Sequence, residues 1–273
     1  MIKLVCLDLD GTLLDTKGNV SNDDIFELKR ILEQGILVYL VTGRPYCFAK
    51  SLAEFIDERI KVIAFNGASI EIGKEHSNTM IPSASLQAVM QILRKNQSHA
   101  FFKGIHNFYT AERYDERFLY SHLNDKFPKT LQVRTYCDLY WDELIIKTKE
   151  VNKILVYCDN EQQMLSIKMK VKKVHGIALT SYNKISFDIH AYGISKGAAV
   201  LKVANRYDMK QTEILCIGDG ANDISMFEAC GTRIAMGNAV EELMLMSTDV
   251  TQTNENHGVA YALKKHIKKS QVL

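Results

Sequence analysis

Three times before residue 68 a short apolar run stops at a polar side chain. Leu4-Val5-Cys6-Leu7 ends at Asp8-Leu9-Asp10-Gly11-Thr12, and Ile36-Leu37-Val38-Tyr39-Leu40-Val41 ends at Thr42-Gly43-Arg44-Pro45. Val62-Ile63-Ala64-Phe65 ends at Asn66-Gly67. Runs this short, apolar throughout and free of Gly and Pro, read as strands covered on both faces. Helical patterns separate them. Ser21-Asn22-Asp23-Asp24 offers a cap and first-turn acids, Ile25, Leu28, Ile31 and Leu32 share a face, and Gly35 ends the segment. A second helix is expected through Phe48, Leu52 and Phe55. Strand, helix, strand, helix, strand is the rhythm of a parallel sheet with crossovers, whose ligands bind at the carboxyl ends of the strands.

The rhythm then breaks and later resumes. Ser69–Ile72 and Thr79–Ile81 alternate around Gly73 and predict a hairpin leading to Pro82. Beyond it the pattern is mixed. Helices are expected over Leu86–Leu93, around Glu116–Leu123 and over Glu161–Val174, with strands at Ala100–Phe102, Phe108–Thr110, Ile154–Cys158, Ile177–Thr180 and Ile185–Ile189. Residues 83–189 read as an α+β module inserted into a core domain made of 1–82 and 190–273, with short connections near Pro82 and Tyr192. Ser195 then caps a helix through Ala199, Val200 and Val203. The run Glu213–Ile217 breaks at Gly218-Asp219-Gly220-Ala221-Asn222-Asp223, a second acidic strand end followed by a helix over Ile224–Phe227. Arg233–Met236 and Thr248–Thr251 are further short strands, and a helix over Gly258–Ile267 closes the domain.

Composition narrows the partners. A net charge of +2 is too balanced to argue for nucleic acid, and no apolar run approaches the roughly 20 residues that span a bilayer. The basic cluster Lys264, Lys265, Lys268 and Lys269 reads as a solvated helix face. The six cysteines are scattered without metal-ligand spacing, and the start offers no signal-peptide layout. The expectation is a cytoplasmic protein, a monomer or weak homodimer, with no membrane or nucleic-acid partner.

Asp8 and Asp10 point the same way, about 6.6 Å apart along an extended strand. Like charges that close need a positive partner, and a hard divalent cation with oxygen ligands suits them. Each other polar residue, taken alone, also has an ordinary structural role. Lys196 fits a solvated helix N-terminus, Thr42 a β-branched strand position, Asn222 a helix cap, and Asp219 and Asp223 a first helical turn.

Taken together, Asp8-Leu9-Asp10-Gly11-Thr12, Thr42-Gly43-Arg44, Lys196 in Gly-Ile-Ser-Lys-Gly, and Gly218–Asp223 resemble, in order, the four motifs of the haloacid dehalogenase-like phosphatases. The insertion entered after Asn66-Gly67-Ala68 resembles the large C2-type cap of the Cof-like subgroup. Met236-Gly237-Asn238-Ala239 and Glu255-Asn256-His257-Gly258-Val259-Ala260 also resemble that subgroup. One departure is Ile189-His190-Ala191-Tyr192, where many relatives carry a Pro. The fold implied is a doubly wound, Rossmann-like parallel α/β core with an inserted α+β cap.

The resemblance implies a Mg²⁺-dependent phosphatase of small phosphorylated metabolites, sugar phosphates first among them, with phosphorylated cofactors such as pyridoxal phosphate or a flavin precursor as the other substrate class. Asp8 is then the nucleophile that becomes an aspartyl-phosphate, and Asp10 the acid that protonates the leaving alcohol and the base that activates water. Mg²⁺ is implied on Asp8, the Asp10 carbonyl and Asp219, with Asp223 either a ligand or a support for bound water. Lys196 and Thr42, the N–H groups of Leu9 and Gly43, the Asn222 amide and Arg44 are implied to bind phosphate. The inserted module is where selection is expected, with Lys103, His106, Tyr109 and Arg113 as candidates in its turns. Two other readings stand beside this one: a phosphotransferase or mutase using the same aspartyl-phosphate, and a non-enzymatic sugar-phosphate sensor.

Overall fold

The computed structural model describes residues 1–113, 127–181 and 184–268. The helix expected around Glu116–Leu123 lies outside them. Among the described residues, fourteen strands run in chain order. They are β1 Leu4–Leu7, β2 Leu37–Val41, β3 Lys61–Ala64, β4 Ser69–Ile72, β5 Glu75–Asn78, β6 His99–Lys103 and β7 Asn107–Thr110. They continue as β8 Arg134–Tyr136, β9 Lys153–Tyr157, β10 Ile177–Ser181, β11 Ser186–Ala191, β12 Ile214–Gly218, β13 Thr232–Ala235 and β14 Asp249–Val250. The chain divides into two compact units, one of Met1–Arg44, Leu52–His76 and Ser195–Leu273, the other of Pro45–Ser51 and Ser77–Ile194.

The first unit is built on a sheet ordered β14-β13-β12-β1-β2-β3-β4-β5. From β14 to β3 the neighbours are parallel, and β4 returns antiparallel to β3. β1 lies inside this sheet with every residue buried, which is why it is apolar without alternation. Its register sets Leu7 beside Ile217 of β12 and Leu40 of β2. The polar residues following these three strands therefore emerge at one edge of the sheet. Helix Asn22–Glu33 is capped by Ser21, whose hydroxyl accepts from Asp24 N–H. The buried Asp24 carboxylate accepts from Ala260 N–H at 2.7 Å, tying this helix to helix Gly258–His266.

The second unit carries a sheet ordered β10-β11-β9-β6-β7-β8, antiparallel except for the parallel pair β7–β8. One face packs Phe102, Ile154, Val156, Phe187 and Ile189 against Val89 and Leu93 of helix Ser83–Lys95 and Ile167 of helix Glu161–Val171.

Several sequence expectations need correction. The return strand of the hairpin is the polar β5, not Thr79–Ile81. Gly73 at φ +59 begins a tight turn that brings pairing forward, and β5 is an edge strand that needs no apolar side chains. The helix after Pro45 spans Tyr46–Ile56 and buries Cys47, Ala49, Ala53 and Ile56, leaving Phe55 exposed. β8 and helix Trp141–Lys147 were not anticipated. Lys103 and Tyr109 lie in strands rather than turns and are buried, Tyr109 stacking on Tyr136 with ring centroids 5.1 Å apart.

Candidate active site

Asp8 follows β1 directly, and its N–H still donates to Ile217 O at 3.1 Å. That last sheet bond fixes the backbone from which the buried carboxylate projects. Lys196 is the first residue of helix Lys196–Arg206, whose Ser195 cap accepts from Ala198 N–H. The Lys196 side chain is fully buried and its Nζ donates to Asp8 Oδ1 at 2.5 Å and Asp223 Oδ1 at 2.6 Å. The other Asp223 oxygen, Oδ2, accepts from the N–H groups of Asp219 and Gly220, each at 3.0 Å. Both oxygens of Asp223 are thus engaged in holding the turn and the lysine.

Asp219 leaves the end of β12 and accepts at Oδ1 from Thr12 Oγ1 at 2.8 Å. Oxygens of Asp8, Asp219 and Asp223 lie within 4.8 Å of one another. Close approach of the two strand-end turns depends on Gly11. At φ +80 it adopts the left-handed region, and a Cβ there would stand 2.3 Å from Asp219 Oδ2.

The charge balance follows from this packing. Burial pushes the Asp8 carboxyl well above its ordinary value; Lys196 opposes the shift while Asp223 and Asp219 add to it. Burial also raises Asp219, to about 6, against the Thr12 hydrogen bond. Burial alone would lower the Lys196 ammonium, but Asp223 and Asp8 together carry it above the ordinary lysine value. Three crowded carboxylates share one ammonium, so the cluster favours added positive charge. Its hard oxygen donors fit a hard divalent cation, and Asp8 and Asp219 are the better-placed ligands because Asp223 is already committed.

Asp10, two residues past Asp8, is exposed and receives the Arg44 guanidinium on both oxygens, through Nε at 2.7 Å and through Nη2. Arg44 therefore meets a carboxylate here, where phosphate was expected. Thr42 follows β2 and is buried; its hydroxyl oxygen accepts from Arg44 N–H at 3.0 Å, which turns the chain back over the strand end at Gly43. Leu9 is buried with its carbonyl accepting from Leu14 N–H at 2.9 Å. Asn222 is half-buried in the short turn Ala221–Asp223.

Sequence reasoning assigned no role to Thr12 or Asn238. Asn238 Nδ2 donates to Gly11 O at 2.8 Å, its Oδ1 accepts from Asn254 N–H, and Asn254 Nδ2 donates to Leu14 O. These bonds anchor the loop after β1. The signal for both was present, since Thr12 and Asn238 lie inside the quoted motif stretches.

Comparison with known proteins gives a consistent result. A family model described as haloacid dehalogenase-like hydrolase matches residues 5–263. The chain is 30% identical over 282 residues to 5-amino-6-(5-phospho-D-ribitylamino)uracil phosphatase YwtE of Bacillus subtilis, covering 95% of this chain and 96% of that protein. It is 27% identical to phosphatase YwpJ of the same organism, covering 96% and 99% of the two chains. The crystal structure of a haloacid dehalogenase-like hydrolase from Bacteroides thetaiotaomicron superposes with a TM-score of 0.83 at 25% identity, covering 97% of this chain and 99% of that one.

Proposed function

The chain belongs to the haloacid dehalogenase-like hydrolase family and is a phosphatase, and from that premise we propose that it hydrolyses small phosphorylated metabolites, sugar phosphates foremost, through an aspartyl-phosphate on Asp8 with Mg²⁺ as cofactor. The observation that carries this reading is the convergence of Asp8, Asp219 and Asp223 around the buried Lys196. Asp8, the Asp10 carbonyl and Asp219 would hold the cation. Once bound, it supplies positive charge that lets an anionic nucleophile meet an anionic phosphate.

The residues of the chain do the rest. Asp8 attacks phosphorus, forming the Oδ–P bond as the P–O bond to the leaving alcohol breaks. Asp10 gives its proton to that alkoxide, then takes one from the water that cleaves the acyl phosphate and frees inorganic phosphate. Arg44, forked on Asp10, orients that carboxyl while Asp10 is ionised. Lys196 holds Asp8 in position and neutralises charge, and Asp223 holds Lys196. Thr42 O–H, the N–H groups of Leu9 and Gly43, and the Asn222 amide bind the remaining phosphate oxygens.

On this reading the inserted residues 83–189, between the core halves 1–82 and 190–273, supply substrate selection. The B. subtilis relative's named substrate carries its phosphate on a ribityl chain, which supports polyol and sugar phosphates as the class to test first. Among the described residues no helix is long and apolar enough to cross a membrane. The test is a screen of phosphorylated metabolites for phosphate release with Mg²⁺ and with chelator. Release that depends on Mg²⁺ and is lost in Asp8→Asn is expected; release unaffected by chelator would overturn the metal assignment.

A further inference from the structure

A cavity of about 450 Å³ lies within the second unit, between the turn after β6 and the segment that leads into β8. Its volume falls inside the roughly 300–1,000 Å³ range of small-molecule sites. His106, Lys129 and Arg134 all line it, and among the described lining residues there is no carboxylate to balance them.

The wall that carries these cations is built by ordinary strand and turn logic. Phe127, Leu131 and Val133 pack into the apolar cluster of Cys47, Phe101 and Phe108. Alternation along the extended segment then puts Gln132 and Arg134 on the side of the cavity. Leu131 N–H donates to Pro128 O at 2.8 Å, closing a tight turn with Lys129 and Thr130 at its two central positions. Gln132 Nε2 donates to Phe127 O at 3.2 Å. Arg134 N–H donates to His106 O at 2.9 Å, and Arg134 stands in register with Asn107 of β7. The backbone that presents all three basic residues is thus held by the fold itself, and a ligand need not organise it.

The chemistry of the lining selects a class of ligand. A cleft lined by one sign of charge focuses its field on ions of the other sign. Arg134 offers a planar fork that can meet phosphate through two parallel N–H bonds, and Lys129 adds a point charge. His106 has at least one ring N–H to donate in either protonation state. Val133 is the only apolar side chain among the described lining residues, so affinity must come from polar contacts and not from a large hydrophobic body. The cavity is also larger than one orthophosphate, and it presents more cations than one phosphate group needs.

We propose that this cavity is a binding site for a polar metabolite carrying two or more phosphate groups, with Arg134 and Lys129 as its main anion contacts and His106 as a further donor. The site belongs to the second unit alone and does not rest on the phosphatase reading. Its phosphates could come from an inorganic polyphosphate chain or from a phosphorylated sugar, and the probes below separate the two.

Tripolyphosphate and fructose 1,6-bisphosphate are titrated calorimetrically into the protein in chelator, which prevents Mg²⁺-dependent turnover, with orthophosphate as the single-phosphate reference. One of the two at least should bind tenfold or more tightly than orthophosphate, and the tighter of them identifies the source. Arg134→Ala should weaken that binding by about tenfold to a hundredfold, as for the loss of a charge-assisted hydrogen bond. Lys129→Ala should weaken it by about tenfold, and added salt should weaken it in every variant that still binds. Both side chains are exposed, so truncation leaves the fold in place. Hydrogen exchange in the unmodified protein locates the ligand. Peptides covering 127–136 should gain protection with the tighter probe, and Lys129→Ala/Arg134→Ala should abolish that gain. Binding of both probes no tighter than that of orthophosphate would overturn the site. So would tight binding that leaves 127–136 unprotected and is unchanged in the double variant.

Discussion

Removing the Lys196 amine tests how the three acids are held. Lys196→Met keeps the buried stem and deletes two charge-assisted bonds, of 2.5 Å to Asp8 and 2.6 Å to Asp223. The pair partners stay buried, with Asp219 close enough to repel both. Breaking a buried ion pair by deleting one side costs about 3–5 kcal/mol, because the remaining charge is left uncompensated. At about 2–4 °C per kcal/mol for a chain of this size, Tm should fall by about 6–20 °C in chelator. Turnover should fall by about 10²–10³-fold, as when one preorganised donor is lost from an active site. The controlling experiment is a double-mutant cycle in urea. Asp8→Asn removes one of the crowded anions, so Asp8→Asn/Lys196→Met should be more stable than Lys196→Met alone. A loss below about 1 kcal/mol would mean that the lysine does not compensate the cluster. A double variant no more stable than the single one would mean that Asp8 does not carry the unbalanced charge.

Further outcomes follow from the same geometry. Asp10→Asn should slow hydrolysis of alkyl phosphates far more than of an aryl phosphate, whose leaving group needs little protonation; equal losses in kcat/KM would argue against the acid role. Thr12→Val deletes the donor to Asp219 and should weaken Mg²⁺ binding by about tenfold to a hundredfold in titration calorimetry, with Thr12→Ser restoring it. Ca²⁺ should bind in place of Mg²⁺ and inhibit, since its longer, looser coordination draws extra carboxylate oxygens inward; full activity with Ca²⁺ would contradict this. Burial lowers the Lys103 amine to about 7 in the folded chain, against the ordinary lysine value when unfolded, so the unfolded chain holds more protons between those limits. Stability in urea should therefore rise from pH 7 towards pH 10, and Lys103→Met should remove that rise.

The strands of the first sheet were legible because burial on both faces leaves an uninterrupted apolar run, as in β1 and β12. The site residues were legible because short polar stretches at such strand ends have few structural reasons to recur. Edges were harder to read. β5 is Glu-His-Ser-Asn and β8 is Arg-Thr-Tyr, edge strands whose sequence carries no burial signal. Helix Tyr46–Ile56 was legible as a helix, but its buried face was not, because the large apolar Phe55 faces out while the small Ala49 and Ala53 face in. The fork of Arg44 on Asp10 joins residues 34 positions apart, and Thr12 on Asp219 spans 207, so neither pairing follows from local pattern. The same holds for the cavity of the second unit, where strand register brings Arg134 beside Asn107.

The account turns on a covalent bond to Asp8, and trapping that bond tests it most directly. Protein turning over 4-nitrophenyl phosphate with Mg²⁺ is quenched in acid within one catalytic cycle, reduced with borohydride and digested for mass spectrometry. An acyl phosphate is reduced to the alcohol, so homoserine should replace aspartate at position 8, and only when substrate was present. Phosphate released in the same samples without modification at position 8, or with the modification at Asp10 or Asp219, would contradict the mechanism.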